Sequence, residues 1–335
     1  MKRTRTKIFA SVVAIAVTIT ALAFAFSPSG ATASAQAGGT EVFHGVIMKT
    51  RSGTGPSVTN SNMYYHGGAV SLTSQVYVDY WGSAWVSGFS TGGYSSSQAQ
   101  SYVQGFYGNV GGSPWHNIDT QYCQGVAVNT QNCGTSGQHI TNGAGRLAGT
   151  CTHNTTLPKR ISQSNIATEA VWAMNNCFGG YNANAIYLVF TPHNQSMSGF
   201  GTQWCAWHSE TTNSSNQPVA YGYIPYMPDA GTSCGMNYVN SSNNSFGNGY
   251  FDGFSIVGGH EYAEAETDMN PSTSSTVAWQ GPGGGSDENG DKCAWNQNGG
   301  ASANISLADG HSYAVQPIWS NASTTSSGSH CVTSY

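Results

Sequence analysis

The segment Gly258-Gly259-His260-Glu261-Tyr262-Ala263-Glu264-Ala265-Glu266-Thr267-Asp268 places one histidine and three glutamates within seven residues. Only 7% of the chain is charged, so this density calls for a physical reason. On a helix, residues i and i+4 project from one face, one turn apart. His260 and Glu264 would then sit side by side, able to grip one metal ion. Glu261 lies one step round, where a carboxylate can reach a water on that ion. This is the spacing of the zincin helix with glutamate replacing the second histidine. The plainer alternative is an exposed acidic helix face with one incidental histidine.

The flanks predict a helix. Gly249 to Gly253 reads as its start, with Asp252 as N-cap, and Asn270-Pro271 as its stop, because the residue before proline leaves the helical region. Phe254, Val257 and Glu261 form one stripe; Phe251, Ser255, Gly258 and Tyr262 form another. Gly258 and Gly259 are costly in a helix. They predict a close approach by another backbone or a substrate.

A catalytic zinc needs three protein ligands and an open position. The next acidic run, Asp287-Glu288-Asn289-Gly290-Asp291, is fixed by Cys293 and should supply the third. Asp291 is preferred, being nearest Cys293, and Glu288 comes second. Glu261 would be the general base toward the metal-bound water, with Glu266 and Asp268 behind the ligands or in solvent. Two carboxylates also suit calcium, a hard cation that prefers oxygen; the histidine favours zinc. His208, in Cys205-Ala206-Trp207-His208, is a further candidate ligand or transition-state donor, although a hydrogen-bonded structural role is the plainer reading. His66 is read in the same way.

The chain opens with Lys2, Arg3, Arg5 and Lys7, then an apolar run from Ile8 to Phe26 and an Ala35-Gln36-Ala37 cleavage site. This predicts a signal peptide over 1–37 and a single secreted domain over 38–335. Cleavage would remove four of the ten Lys/Arg and none of the fifteen Asp/Glu, leaving six against fifteen and a net charge of −9. So few cations argue against nucleic acid as a partner. Eight of the fifteen acids fall between Asp252 and Asp291, at the expected metal helix. Eight cysteines behind an export signal predict disulfides. Neighbour pairing gives Cys123–Cys133, Cys151–Cys177, Cys205–Cys234 and Cys293–Cys331.

Along the chain, strands are predicted within Glu41–Arg51 and over Val76–Trp81, Ala185–Thr191, Gln203–Ser209, Val219–Tyr226 and Ser312–Trp319. Helices are predicted over Ser95–Tyr107, with Ser95 and Gln98 as a capping box, and over Ser164–Cys177, capped by Ser164. Residues 108–160 read as an irregular, disulfide-rich insertion. The order predicts an α+β fold: a zincin-like twisted mixed sheet with backing helices and an active-site helix beneath an edge strand. Gly88-Phe89-Ser90-Thr91-Gly92 matches the G-x-S-x-G pattern of serine hydrolases, but the helix begins too late for a nucleophile elbow.

Several motifs in order resemble the EXORDIUM-like (phosphate-induced protein) family. These are Tyr65-His66-Gly67-Gly68 with Val76-Tyr77-Val78, Trp81-Gly82 and Trp85; Ala185-Ile186-Tyr187-Leu188-Val189; and Cys205-Ala206-Trp207-His208. His260-Glu261-Tyr262-Ala263-Glu264, Glu288-Asn289-Gly290-Asp291-Lys292-Cys293 and Ala314-Val315-Gln316-Pro317-Ile318-Trp319-Ser320 continue the series. Ala206-Trp207 stands where the family has Gly-x before the histidine. The resemblance implies an extracellular or wall-associated protein, and extends to exported bacterial proteins that look like metallopeptidases. The reading is a secreted, monomeric, zinc-dependent peptidase acting on extracellular polypeptide or a cell-wall component, with no membrane partner after cleavage. The alternative is a non-catalytic wall-associated protein with a structural metal.

Overall fold

Alternation along a few apolar strands builds the centre of the molecule. On β1 (Gln75–Trp81), Val76, Val78 and Tyr80 enter one core, while Tyr77 and Trp81 face the other. On β3 (Ala185–Phe190) every residue is buried, because Ile186, Leu188 and Phe190 face the first core and Ala185, Tyr187 and Val189 the second. Such a continuously apolar run marks a strand covered on both faces. The computed structural model describes residues 59–271, 277–284 and 287–335. The expected signal segment and the strand within Glu41–Arg51 lie outside the described residues.

With β2 (Leu147–His153), β4 (Trp207–Thr212) and β5 (Pro218–Ile224), these strands form a five-stranded sheet in the order β2-β1-β3-β5-β4. All neighbours are parallel except β4, which runs antiparallel to β5 at the edge. Helix α1 (Ser96–Asn109) packs Tyr102, Val103 and Phe106 on the first face. Helix α2 (Gln163–Asn176) packs Ile166, Ala170, Val171 and Met174 on the second. Thus β1-α1-β2 steps one way across the sheet, and β2-α2-β3 steps back over β1 on the opposite face, as crossovers of one hand between parallel strands require.

The expected capping box of Ser95 and Gln98 is present on α1. For α2 the cap is Ser162, reciprocated by Asn165, and not Ser164. A serine pairs best with a polar residue three positions on, and Asn165 selects Ser162. The expected irregular insertion over 108–160 contains a main-sheet strand, β2. Its side chains alternate between half-buried and exposed at the sheet edge, and its Ala, Gly and Thr residues give little apolar signal. The expected Ser312–Trp319 strand is two short ones, Ser312–Val315 and Ile318–Trp319, split at Pro317, which cannot donate to a ladder. The strand expected at Gln203–Ser209 begins later, at Trp207.

Helix α3 (Asp252–Thr267) lies on the first face, and all sixteen of its residues are buried. Phe251 is its N-cap and Asp252 the first helical residue, not the cap. The Asp252 carboxylate instead accepts from the Gly249 and Asn240 backbone N–H groups at 2.8 and 3.1 Å, holding the entering chain. The two glycines do admit close neighbours, which are aromatic side chains and not another segment's backbone. A Cβ at Gly258 would stand 2.7 Å from the Tyr107 hydroxyl, and one at Gly259 3.1 Å from the Phe106 ring. With those positions reduced to hydrogen, α3 seats directly against α1.

The four disulfides pair neighbouring cysteines as expected. Four disulfides fit an oxidising, extracellular setting. No helix among the described residues is long and apolar enough to cross a membrane. Cys293–Cys331 spans 38 residues and joins the segment after α3 to the C-terminus. Replacing both cysteines with serine should cost about 2–5 kcal/mol by loss of chain constraint, measured by denaturant unfolding. An unchanged midpoint would mean that this closure does not hold the C-terminal third together.

Candidate metal centre

Three segments meet at one face of α3. The helix contributes His260, Glu261 and Glu264; β4 contributes His208; and the turn before Cys293 contributes Glu288 and Asp291. His260, Glu261, Glu264 and Glu288 have no exposed surface, and His208 and Asp291 almost none. The acidic helix face is therefore buried, which overturns the exposed-face alternative.

The i, i+4 spacing brings His260 Nε2 to 2.9 Å from Glu264 Oε1, and Asp291 Oδ1 stands 3.6 Å from the same nitrogen. The ligand atoms of His260, Glu264 and Asp291 all lie within 4.8 Å of one another and could hold a metal ion. The chemistry of the set fits: one imidazole and two carboxylates, with His260 Nε2 directed at both acids. Glu288, the second choice for third ligand, stands elsewhere, its Oε2 3.7 Å from His208 Nε2. His208 enters the cluster directly: its Nδ1 lies 3.2 Å from Glu261 Oε2 and 3.4 Å from Glu264 Oε2. His208, Glu261 and Glu264 form a second group whose atoms could hold an ion.

The turn holding Asp291 is fixed by its backbone. The Asp291 N–H donates to Glu264 Oε1 at 2.8 Å, and the Gln316 amide donates to the Gly290 carbonyl at 2.8 Å. Asn289 donates to Asp119 Oδ1 at 2.9 Å. Gly290 leaves no room for a side chain, since a Cβ there would lie 2.7 Å from His260 Nδ1 and 2.8 Å from Glu264 Oε1. Asp287 is turned away, paired to Lys292 at 2.8 Å and to the Thr59 N–H at 2.9 Å. Glu266 and Asp268 are wholly buried, not solvated. Glu266 pairs with His116 at 2.8 Å, and Asp268 accepts the Ala278 N–H at 3.0 Å.

Asp119, Asn289, His116 and Gln316 form a shell that sequence reading did not single out. The one available signal was polar residues standing inside otherwise apolar or low-charge stretches. His66 lies outside the cluster, its Nε2 3.4 Å from the Gln280 carbonyl. Ser90 is exposed on a two-residue strand paired with Tyr94–Ser95 across Gly92-Gly93. That hairpin is no nucleophile elbow.

The electrostatics reflect crowded buried carboxylates. Burial alone would push the His260 imidazole down, but Glu264, with Glu261 and Asp291, outweighs it and holds the ring up at about 10. For His208, burial is likewise outweighed by Glu288, Glu261 and Glu264, and the ring is raised. Burial raises Asp291 well above the usual carboxylate range, with the Glu264 charge adding to it, and burial also raises Glu261. At Glu264 the two imidazoles outweigh burial and hold the acid low.

Comparison with protein-family models, characterised proteins and solved structures finds no match for this chain.

Three outcomes follow from this geometry. Gly290→Ala should cost about 1–3 kcal/mol by overpacking and weaken ion binding; wild-type affinity in the variant would contradict the close approach. An ion entering at neutral pH must displace the His260 proton, so affinity should rise about tenfold per pH unit for each proton released. Titration calorimetry between pH 6 and 8 measures this, and a flat profile would contradict it. The sign for metal-free stability follows from the same shift. His260 is raised above its unfolded value of 6.5, so its contribution is full below that value and lost as pH rises through about 10. Asp291 and Glu261 are also raised and act in the same direction, their contributions starting to be lost above their own lower unfolded values, so the metal-free melting temperature should fall as pH rises.

Proposed function

We propose that this is a secreted zinc-dependent peptidase with a zincin-like active-site layout. The observation that carries the reading is the convergence of His260, Glu264 and Asp291 around one point, with Glu261 on the same helix and an antiparallel edge strand beside it. His260, Glu264 and Asp291 would hold the zinc, which when bound supplies Lewis-acid polarisation of a carbonyl and makes a water more acidic. Two carboxylates lower the net charge of such a site, so its water would be less acidic than in a histidine-rich one.

Glu261 is the group placed to move a proton. Its raised affinity for protons, caused first by burial, suits a base that accepts from the attacking water and donates to the departing amine. His208, 3.2 Å from Glu261, orients that carboxylate. Among the described residues no strand pairs with the outer edge of β4. An edge strand is where an extended polypeptide can be laid alongside the site by strand addition. The substrate class is an extracellular polypeptide or the peptide portion of a cell-wall component, and the working unit is a monomer. The ordered motifs shared with the EXORDIUM-like family support an extracellular setting.

One observation favours a second reading: every residue of the cluster is buried. A closed site is what a structural ion needs, calcium included, in a non-catalytic wall-associated protein. Glu261→Gln separates the two. On the peptidase reading it should lower hydrolysis of an unfolded protein substrate by about 10²–10⁴-fold with zinc content and melting temperature retained. Equal activity in variant and wild type, or none in a zinc-loaded wild type, would favour the structural ion.

A further inference from the structure

Glu264 belongs to both ligand groups at once. Its Oε1 faces His260 Nε2 at 2.9 Å, while its Oε2 faces His208 Nδ1 at 3.4 Å. We propose that the cluster is a two-cation centre in which Glu264 bridges the ion held by His260 and Asp291 to a second divalent transition-metal ion held by His208 and Glu261. This rests on the zinc reading above for the first ion, and assigns a regulatory role to the second.

Three independent features support it. The first is geometry: the ligand atoms of His208, Glu261 and Glu264 lie within 4.8 Å of one another, as do those of the first set. Glu264 Oε2 is wholly buried and is aimed into the second set, toward His208 Nδ1. A carboxylate spanning two ions is the usual bridge in two-metal centres, whose ions stand about 3.5–4 Å apart.

The second is orientation of the ring. A ligating histidine commonly turns its other ring nitrogen to a carboxylate, which fixes tautomer and direction. His208 turns Nδ1 toward Glu261 and Glu264, and its Nε2 makes a 3.7 Å ion-pair contact with Glu288 Oε2. On this proposal Glu288 is a positioning residue for His208, and not a ligand of the first ion.

The third is charge. Glu261, Glu264, Glu288 and Asp291 bring four carboxylates into a region without exposed surface. Buried carboxylates need pairing, protonation or a cation, and a second divalent ion is one way to meet that need.

The chemical consequence is a switch. Glu261 cannot both ligate the second ion and accept a proton from water. Filling the second position therefore turns hydrolysis off without disturbing the first ion. Zinc at high free concentration would then inhibit the enzyme that zinc at low concentration activates.

The test uses the full exported chain, dialysed against zinc chloride at low and at high buffered free zinc, with metal content read by mass spectrometry. The wild type should rise from about one to about two ions per chain, and peptidase activity should fall at least about tenfold over the same step. His208→Ala, and His208→Asn in case the smaller residue unfolds the site, should stop at about one. Cobalt substitution adds a readout independent of activity, because two bridged cobalt ions couple magnetically and a single one does not. A wild type saturating at one ion, or a His208 variant still taking two, would overturn the second site and leave the peptidase reading standing. A wild type taking none would overturn both.

Discussion

Burial of like charge is the constraint on which the rest of this structure depends. Helix α3 carries His260, Glu261, Glu264 and Glu266 into the interior, where Glu288 and Asp291 add two more buried carboxyl groups. Carboxylates removed from water are tolerated only when paired, protonated or bound to a cation. Each surrounding element answers that requirement. The Asp291 N–H and His260 are placed on Glu264, His208 on Glu261, and His116 on Glu266. The sheet and its disulfides serve to keep these partners in place: β4 delivers His208, and Cys293–Cys331 closes the turn that delivers Asp291.

The topology explains why the site lies where it does. Three crossover-linked parallel strands leave one face to α1 and α3 and the other to α2. The chain then reaches the opposite edge, where β4 reverses direction against β5. In that register His208 stands opposite Gly222, on the α3 side of the sheet, while Trp207 packs into the other core. A shift of one residue would exchange them and remove the histidine from the site. Two aromatic-rich cores thus fix the position of one imidazole.

The parts legible in sequence were those carried by local spacing. His260 and Glu264 follow the helical i, i+4 rule, Asp291 is marked by its disulfide neighbour Cys293, and β3 is marked by an unbroken apolar run. Neighbour pairing of the cysteines also holds throughout. What local spacing could not carry was whatever depends on partners far along the chain. His208 meets Glu261 across 53 residues, and Asn289 meets Asp119 across 170. Strand β2 was hidden because an edge strand of Ala, Gly and Thr has almost no apolar alternation to read. The purpose of Gly258 and Gly259 was visible only as a need for space; that Tyr107 and Phe106 fill it belongs to the packing.

The central claim is that His260, Glu264 and Asp291 surround one ion. An anomalous difference map from crystals of the zinc-loaded protein, collected at the zinc edge, tests it most directly. The account predicts a peak bounded by His260 Nε2, a Glu264 carboxylate oxygen and a carboxylate oxygen of Asp291. A map with no peak there, or with zinc only at an exposed histidine such as His311, would contradict it and leave α3 as a buried network of shared protons.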